Sequence, residues 1–257
     1  MIDIQRQQDR NFISRIVAQH NSRNQVFRYS FQFMKEFLLI NILLLLIQTV
    51  FANEVYDSLY LKEKDFAPRA AALKKQFGKN KIIAKELELE CLAALSYYPE
   101  LLNEHVEFRW DNSISSTMKM VPTFTSFLFH KKLKYVVYMN KSAATTNLNI
   151  NELSFNAKVG WLGHELGHVL QCVEKSRLGV LWMGICHVSD KFIARFERET
   201  DVITIQHNLG YALYEGMHYT LNNKKVNQEY IAGLKKNYLS LEEILTWINN
   251  KESRKPL

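Results

Sequence analysis

Residues 160–170 read GWLGHELGHVL, two histidines and a glutamate set among three glycines in a segment of helical apolar spacing. On a helix at about 100° per residue, His164 and His168 fall about 40° apart and about 6 Å along the axis. Two imidazoles so placed can reach one Zn²⁺, each at about 2.0–2.1 Å. Glu165 projects about 100° away from His164. It stands outside that coordination sphere but within reach of a water held there. This is the HExxH pattern, two ligands and a general base. Gly160, Gly163 and Gly167 lie on one flank of the histidine stripe, and Leu162, Leu166 and Val169 lie on the far side. Each glycine costs about 1 kcal/mol inside a helix relative to alanine. A stripe of them predicts a second backbone packed very close, that of the helix bringing a third ligand.

The candidate for that helix is FERETDVITIQHNLG, 196–210. Glu197 and Asp201 are one turn apart on one face, which Thr204 and Asn208 extend. Ala194 and Thr200 beside it are small, whereas Phe192, Phe196 and Ile203 are apolar. Glu197 would complete a site of three protein ligands, with the fourth position left to water. Asp201 would accept a hydrogen bond from the unligated nitrogen of a ligand histidine and fix its tautomer. Three rivals remain open. Glu199 shares the segment but points about 200° from Glu197. His187 follows His168 by 19 residues. Cys172 lies one turn after His168. His105, His130, His207 and His218 have no ligand spacing and read as ordinary surface or core residues.

HELGH followed by ERETD resembles the gluzincin metallopeptidases. The nearest branch is that of the CAAX prenyl proteases and heat-shock membrane proteases, with their HExxH and ExxxD motifs; small soluble relatives, the minigluzincins, fit as well. The resemblance covers approximately Leu133 to Gly210. Thr200 stands where the family carries alanine, and the multi-spanning helices of the membrane branch are absent, so their substrates do not carry over. The resemblance implies a zincin-like α+β fold with an edge strand over the HExxH helix. It implies His164, His168 and Glu197 on Zn²⁺, Glu165 in catalysis and Asp201 behind the ligands. The expected activity is hydrolysis of a peptide or protein substrate. An oxyanion stabiliser is then required, and His218, Tyr219, Tyr211 and Tyr214 lie downstream in a suitable place. The alternative is a non-catalytic, zinc-stabilised binding module or a latent peptidase; a structural site needs no base at Glu165, which favours the enzyme.

The rest of the chain supplies the frame. It has 257 residues, 47% apolar and 23% charged, the composition of a globular protein. The net charge of +7 is spread over scattered Lys and Arg residues, which argues against nucleic acid as a partner. From Met34 a short charged start leads into an apolar run, 37–47, with Val50 and Ala52 placed for small-residue cleavage before Asn53. That is the layout of a signal peptide, 34–52, and of an exported periplasmic or secreted protein. The same segment, 37–52, kept as an anchor would give membrane association; a buried helix is the third option. Residues 1–33 are polar and expected to be a disordered leader or a mis-assigned gene start, and 53–257 a single domain. Cys91, Cys172 and Cys186 are odd in number and read as buried small hydrophobes, not a disulfide framework.

Within that domain, residues 63–80 read as an exposed helix or irregular lead-in. An amphipathic helix is predicted over 81–97, and strands over 106–110, in MKMVPTF (118–124) and over 133–139. The last of these is the strongest strand signal and the one taken to offer its edge to an extended peptide. Helices follow at about 152–172, 177–187, 188–209, 211–219, 226–237 and 240–249, the last opened by a Ser240–Glu243 capping box.

Overall fold

The computed structural model describes residues 59–129, 132–141, 146 and 148–253, with 39 and 42 besides. Apart from residues 39 and 42, the expected leader, signal segment and cleavage site lie outside the described residues. The described residues from 59 to 253 group as one compact unit. It is α+β, with a small sheet early and helices after it, as the sequence pattern predicts. Two short helices, α1 (Glu63–Phe66) and α2 (Ala70–Phe77), open it and bury Phe66, Leu73 and Phe77. Next come β1 (Lys81–Ile82), α3 (Glu88–Leu95), β2 (His105–Trp110), β3 (Met118–Pro122), α4 (Phe124–Phe129) and β4 (Lys134–Met139). The helical part comprises α5 (Phe155–Val173), α6 (Arg177–Cys186), α7 (Asp190–Thr204), α8 (Gly210–Asn222), α9 (Gln228–Asn237) and α10 (Leu241–Glu252). Among the described residues no helix is long and apolar enough to cross a membrane.

The sheet runs β1-β2-β4-β3, with β1, β2 and β4 parallel and β3 antiparallel to β4. The expectation for 133–139 is therefore corrected: β4 is an inner strand, paired on both sides. Its nearly unbroken apolar sequence is what an inner strand needs, since both faces are covered. The exposed edge beside β4 belongs to β3, whose Lys119 and Pro122 are edge residues by chemistry. Asn140 N–H donates to Thr117 O at 3.0 Å and Thr123 N–H to Lys134 O at 2.7 Å. Antiparallel pairing alternates, so Lys119 and Val121 face β4 while Met118, Met120 and Pro122 turn their backbones outward. Proline falls where no ladder donor is missed.

Two local predictions also shift. The helix expected from Lys81 begins only at Glu88, because Asn80 adopts φ 60° and turns Lys81 and Ile82 alongside Val106 and Glu107. The Lys81 ammonium holds that turn by donating to the carbonyls of Leu101 (3.1 Å), Leu102 (3.3 Å) and Glu104 (2.8 Å). The helix expected over 188–209 is regular only to Thr204. A wider π turn spans Ile205–Leu209, with Asn208 at φ 63°. Lys251 of α10 donates to Ile205 O (2.8 Å), Gln206 O (2.7 Å) and Asn208 Oδ1 (2.8 Å), satisfying acceptors that the widened turn releases.

The central element is α5. Ser154 caps its N-terminus, accepting from Ala157 N–H, and α3, α7, α8 and β3 pack around it. The glycine stripe does what its cost predicted, with one refinement. A Cβ on Gly167 would meet Thr200 of α7 at 2.9 Å, but one on Gly160 would run into the Ala212 carbonyl of α8. The close neighbour is thus α7 at one end of the stripe and α8 at the other. The Ser240–Glu243 capping box is present at the start of α10. Cys91 and Cys172 are buried as expected, whereas Cys186 is only partly so.

Candidate metal centre

α5 and α7 cross with their polar stripes facing. His164, Glu165 and His168 are 0%, 6% and 7% exposed, so the charged centre of GWLGHELGHVL is held away from bulk water. Glu197 of α7 places Oε2 at 3.0 Å from His164 Nε2 and 3.2 Å from His168 Nε2. One donor atom from each of these three residues lies within 4.8 Å of the others, so the group has the makings of a metal site. Glu197 is the third member that the sequence singled out.

The far side of each imidazole is occupied. His164 Nδ1 lies 2.9 Å from Asp201 Oδ1, and Asp201 Oδ2 accepts from Leu239 N–H at 2.9 Å. Only N–H groups face this fully buried carboxylate, so His164 Nδ1 carries hydrogen and Nε2 is the nitrogen left facing Glu197. His168 Nδ1 lies 3.0 Å from Thr200 Oγ1 and 3.2 Å from Gln171 Oε1. Thr200 in turn contacts Gln171 Oε1 at 2.9 Å and Phe196 O at 2.8 Å. Thr200 thereby holds the second ring from behind, as Asp201 holds the first. Phe196 stacks on His168 at 4.7 Å between centroids.

These contacts test whether a cation fits. Lone pairs of His164 and Glu197 facing at 3.0 Å repel unless something positive lies between them. Without metal it is a proton. Burial pushes the His164 pKa down, but hydrogen bonds and charge from Asp201 and Glu197 override it and raise the value to about 10. For Glu197, burial opposes charge, yet the two imidazoles hold its carboxyl well below the usual range. Nitrogen, nitrogen and carboxylate oxygen, dehydrated and held from behind, suit a divalent ion of borderline softness.

Glu165 is not part of that cluster. Its Oε2 is buried without a hydrogen-bond partner, and burial raises its pKa against the pull of His168, His164 and the Met120 backbone N–H. The carboxyl opens into a cavity of about 680 Å³, within the range of ligand pockets. One wall is Ser115–Met118, leading into the free edge of β3; the other is α9 with Tyr238, and Trp161 lines it too. Tyr230 and Tyr238 flank the cavity, and burial with nearby carboxylates raises both phenols, Tyr238 furthest. Tyr238 lies 5.3 Å from the His164 ring, and Leu239 and Tyr238 O are tied to α7 through Asp201 and Arg198 (2.9 Å each).

The rivals fall elsewhere. Glu199 is exposed and pairs with Arg195 at 3.6 Å, as its opposite helical phase dictates. His187 Nδ1 is 2.7 Å from Met183 O, and its ring packs edge-on against Phe196. Cys172 is a buried thiol raised to about 12, outside the cluster. None of His218, Tyr219, Tyr211 and Tyr214 lines the cavity: Tyr214 stacks on His218, Tyr219 reaches Glu152, and Tyr211 packs near Tyr60. The polar neighbours that sequence reasoning missed are Gln171, Tyr230 and Tyr238. Gln171 stands three residues after His168, a visible helical-neighbour signal. Tyr230 comes from α9 and Tyr238 from the extended residue that ends it, and no local pattern announces them. Compared with known protein families, with curated proteins and with solved structures, the chain matches none.

Proposed function

We propose that this chain is a zincin-like, gluzincin-type peptidase that hydrolyses peptide bonds with Glu165 as general base and Zn²⁺ on His164, His168 and Glu197. The observation that carries the proposal is the pairing of that three-donor cluster with a separate, unpartnered carboxyl oxygen of Glu165 at a cavity wall. A structural metal site has no use for such a buried base.

Zn²⁺ bound by these residues would supply Lewis-acid polarisation of water and of the scissile carbonyl. Glu165 takes the proton of the attacking water and passes it to the leaving amine, and its raised pKa suits both halves of that transfer. Asp201, Thr200 and Gln171 keep both imidazoles in the tautomer that presents Nε2. The outward backbone of β3 at Met118, next to Met120 whose N–H turns to Glu165, offers an extended peptide a strand to pair with. Tyr238 and Tyr230, kept protonated, are the donors closest in place to a developing oxyanion. The apolar run 37–47 favours a peptide substrate met at or beyond a membrane.

The test is Glu165→Gln, assayed for zinc content and for cleavage of casein or a peptide library. Zinc content should stay at the wild-type level while cleavage falls by about 10²–10⁴-fold. Cleavage that persists removes Glu165 from its role. A wild-type chain full of zinc that cleaves nothing is a binding module instead.

A further inference from the structure

A second feature lies outside the metal centre. In α6, RLGVLWMGIC, Val180 and Met183 face the core, yet Leu178, Leu181, Trp182 and Ile185 are 77%, 50%, 66% and 54% exposed. Val188, just past the helix, is 91% exposed. Ten large apolar side chains are exposed among the described residues and half of them fall within 178–188, so this face is a patch and not scatter. Leu178, Leu181, Trp182 and Ile185 span an arc of about 100° on the helix, and Arg177 is the only charged residue in α6.

The patch has a charged rim. Trp182 shares a cleft of about 260 Å³ with Met183, Phe192, Phe196, Lys175 and Arg195. Glu199 lines it as well, paired with Arg195, and Glu174 and Asp190 are exposed nearby, Asp190 bridged to Lys236 at 2.7 Å. An indole between an aliphatic face and two cations is the arrangement that settles at a bilayer interface: the ring sits at headgroup depth and the long cations reach phosphate. A helix of 10 residues is about 15 Å long, which lies on a bilayer and does not cross it. The apolar run 37–47 gives the chain a route to a membrane, as signal or as anchor.

We infer that α6 is an interfacial helix that seats this domain on a phospholipid bilayer through Leu178, Leu181, Trp182, Ile185 and Val188, with Lys175 and Arg195 at the headgroups. Phe196 and Gln171, which line the same cleft, also touch His168, so the seated face adjoins the metal centre.

The experiment uses the full chain with vesicles of mixed neutral and anionic phospholipid brominated on the acyl chains. Trp182 is one of four tryptophans, and residues 37–47 contain none, so quenching reports on α6 separately from any insertion of that run. Vesicles should quench the wild-type emission, and Trp182→Phe should abolish that quenching. Leu181→Glu with Ile185→Glu should raise the lipid needed for half-quenching at least about tenfold. Both variants change exposed side chains, so zinc content and far-UV circular dichroism should match wild type. Absence of quenching, or equal quenching in Trp182→Phe, overturns the inference. So does shielding of Trp182 from iodide without lipid: with doubled mass it assigns the face to a second copy, and at unchanged mass to the chain's own apolar run.

Discussion

Asp201 is the residue on which most of the centre's geometry converges. It accepts from His164 on one oxygen and from Leu239 on the other, so one carboxylate sets a ring tautomer and pins the segment carrying Tyr238. Asp201→Asn keeps the shape but offers N–H where an acceptor is needed. Zinc affinity, measured by competition with a chelating dye, should fall about 10–100-fold; unchanged affinity would remove Asp201 from the site. The His164–Glu197 pair sets a pH signature in the chain stripped of metal. The His164 value is raised from 6.5 to about 10, so its stabilisation is complete below about 6.5 and is lost as pH climbs through about 10. The Glu197 value is depressed, so its stabilisation holds above the ordinary carboxylate value of 4.5 and is lost in acid. The stripped chain should therefore melt lower at about pH 9 than at about pH 6. Loading with zinc should remove that alkaline decline, since the cation replaces the proton. A stripped chain that melts higher at the alkaline end would refute the assignment. His164, Glu165 and His168 were legible because one helical turn places them by spacing alone. Glu197 and Asp201 were legible because they stand one turn apart on one helical face, which Thr204 extends beside small Thr200 and Ala194. Tyr230 and Tyr238 were not, because their place depends on how α9 returns to the cavity, a tertiary fact.

Helix α5 shows how close packing is encoded by missing side chains. Gly160→Ala would force a Cβ into the Ala212 backbone, and overpacking of that kind costs about 1–3 kcal/mol. Gly184, exposed in the last turn of α6, has no atom within 4 Å of a built Cβ. Gly184→Ala should raise stability by about 0.5–1 kcal/mol through helix propensity. Urea unfolding of the two variants should thus give opposite signs; equal signs would refute the packing argument. The order and kind of elements from β2 onward were readable from periodicity and caps, including the Ser240 box, except for the short helix α4, whose first residue the sequence reading had placed in a strand. The misreadings share a cause. Which strand is the edge, and where Lys81 turns extended, depend on pairing partners distant in sequence, and β4's apolar richness marks enclosure on both sides.

For the molecule as a whole, the early sheet supplies an open edge, β3, and the helical half supplies donors from α5 and α7, with the cavity between β3 and α9. Composition gave a globular chain, and early strand patterns followed by helical ones gave its α+β class; the assembly of the site needed the tertiary crossing of α5 with α7. Because the three candidate ligands come from two helices, metal binding should be linked to global stability. Zinc at about 1,000 times its Kd adds about 4 kcal/mol, or roughly 8–16 °C in Tm for a domain of this size. Equal melting with and without zinc would show that the ion, if bound, does not select the folded chain. The proposed hydrolase rests on His164, His168 and Glu197, which lie close enough together to hold one ion. Elemental analysis of the purified chain, after equilibration with micromolar zinc and dialysis, should find about one zinc per chain. It should find far less in Glu197→Ala and the wild-type level in Glu199→Ala. Equal zinc in both variants, or none in the wild type, would overturn the metal centre and the hydrolase built on it.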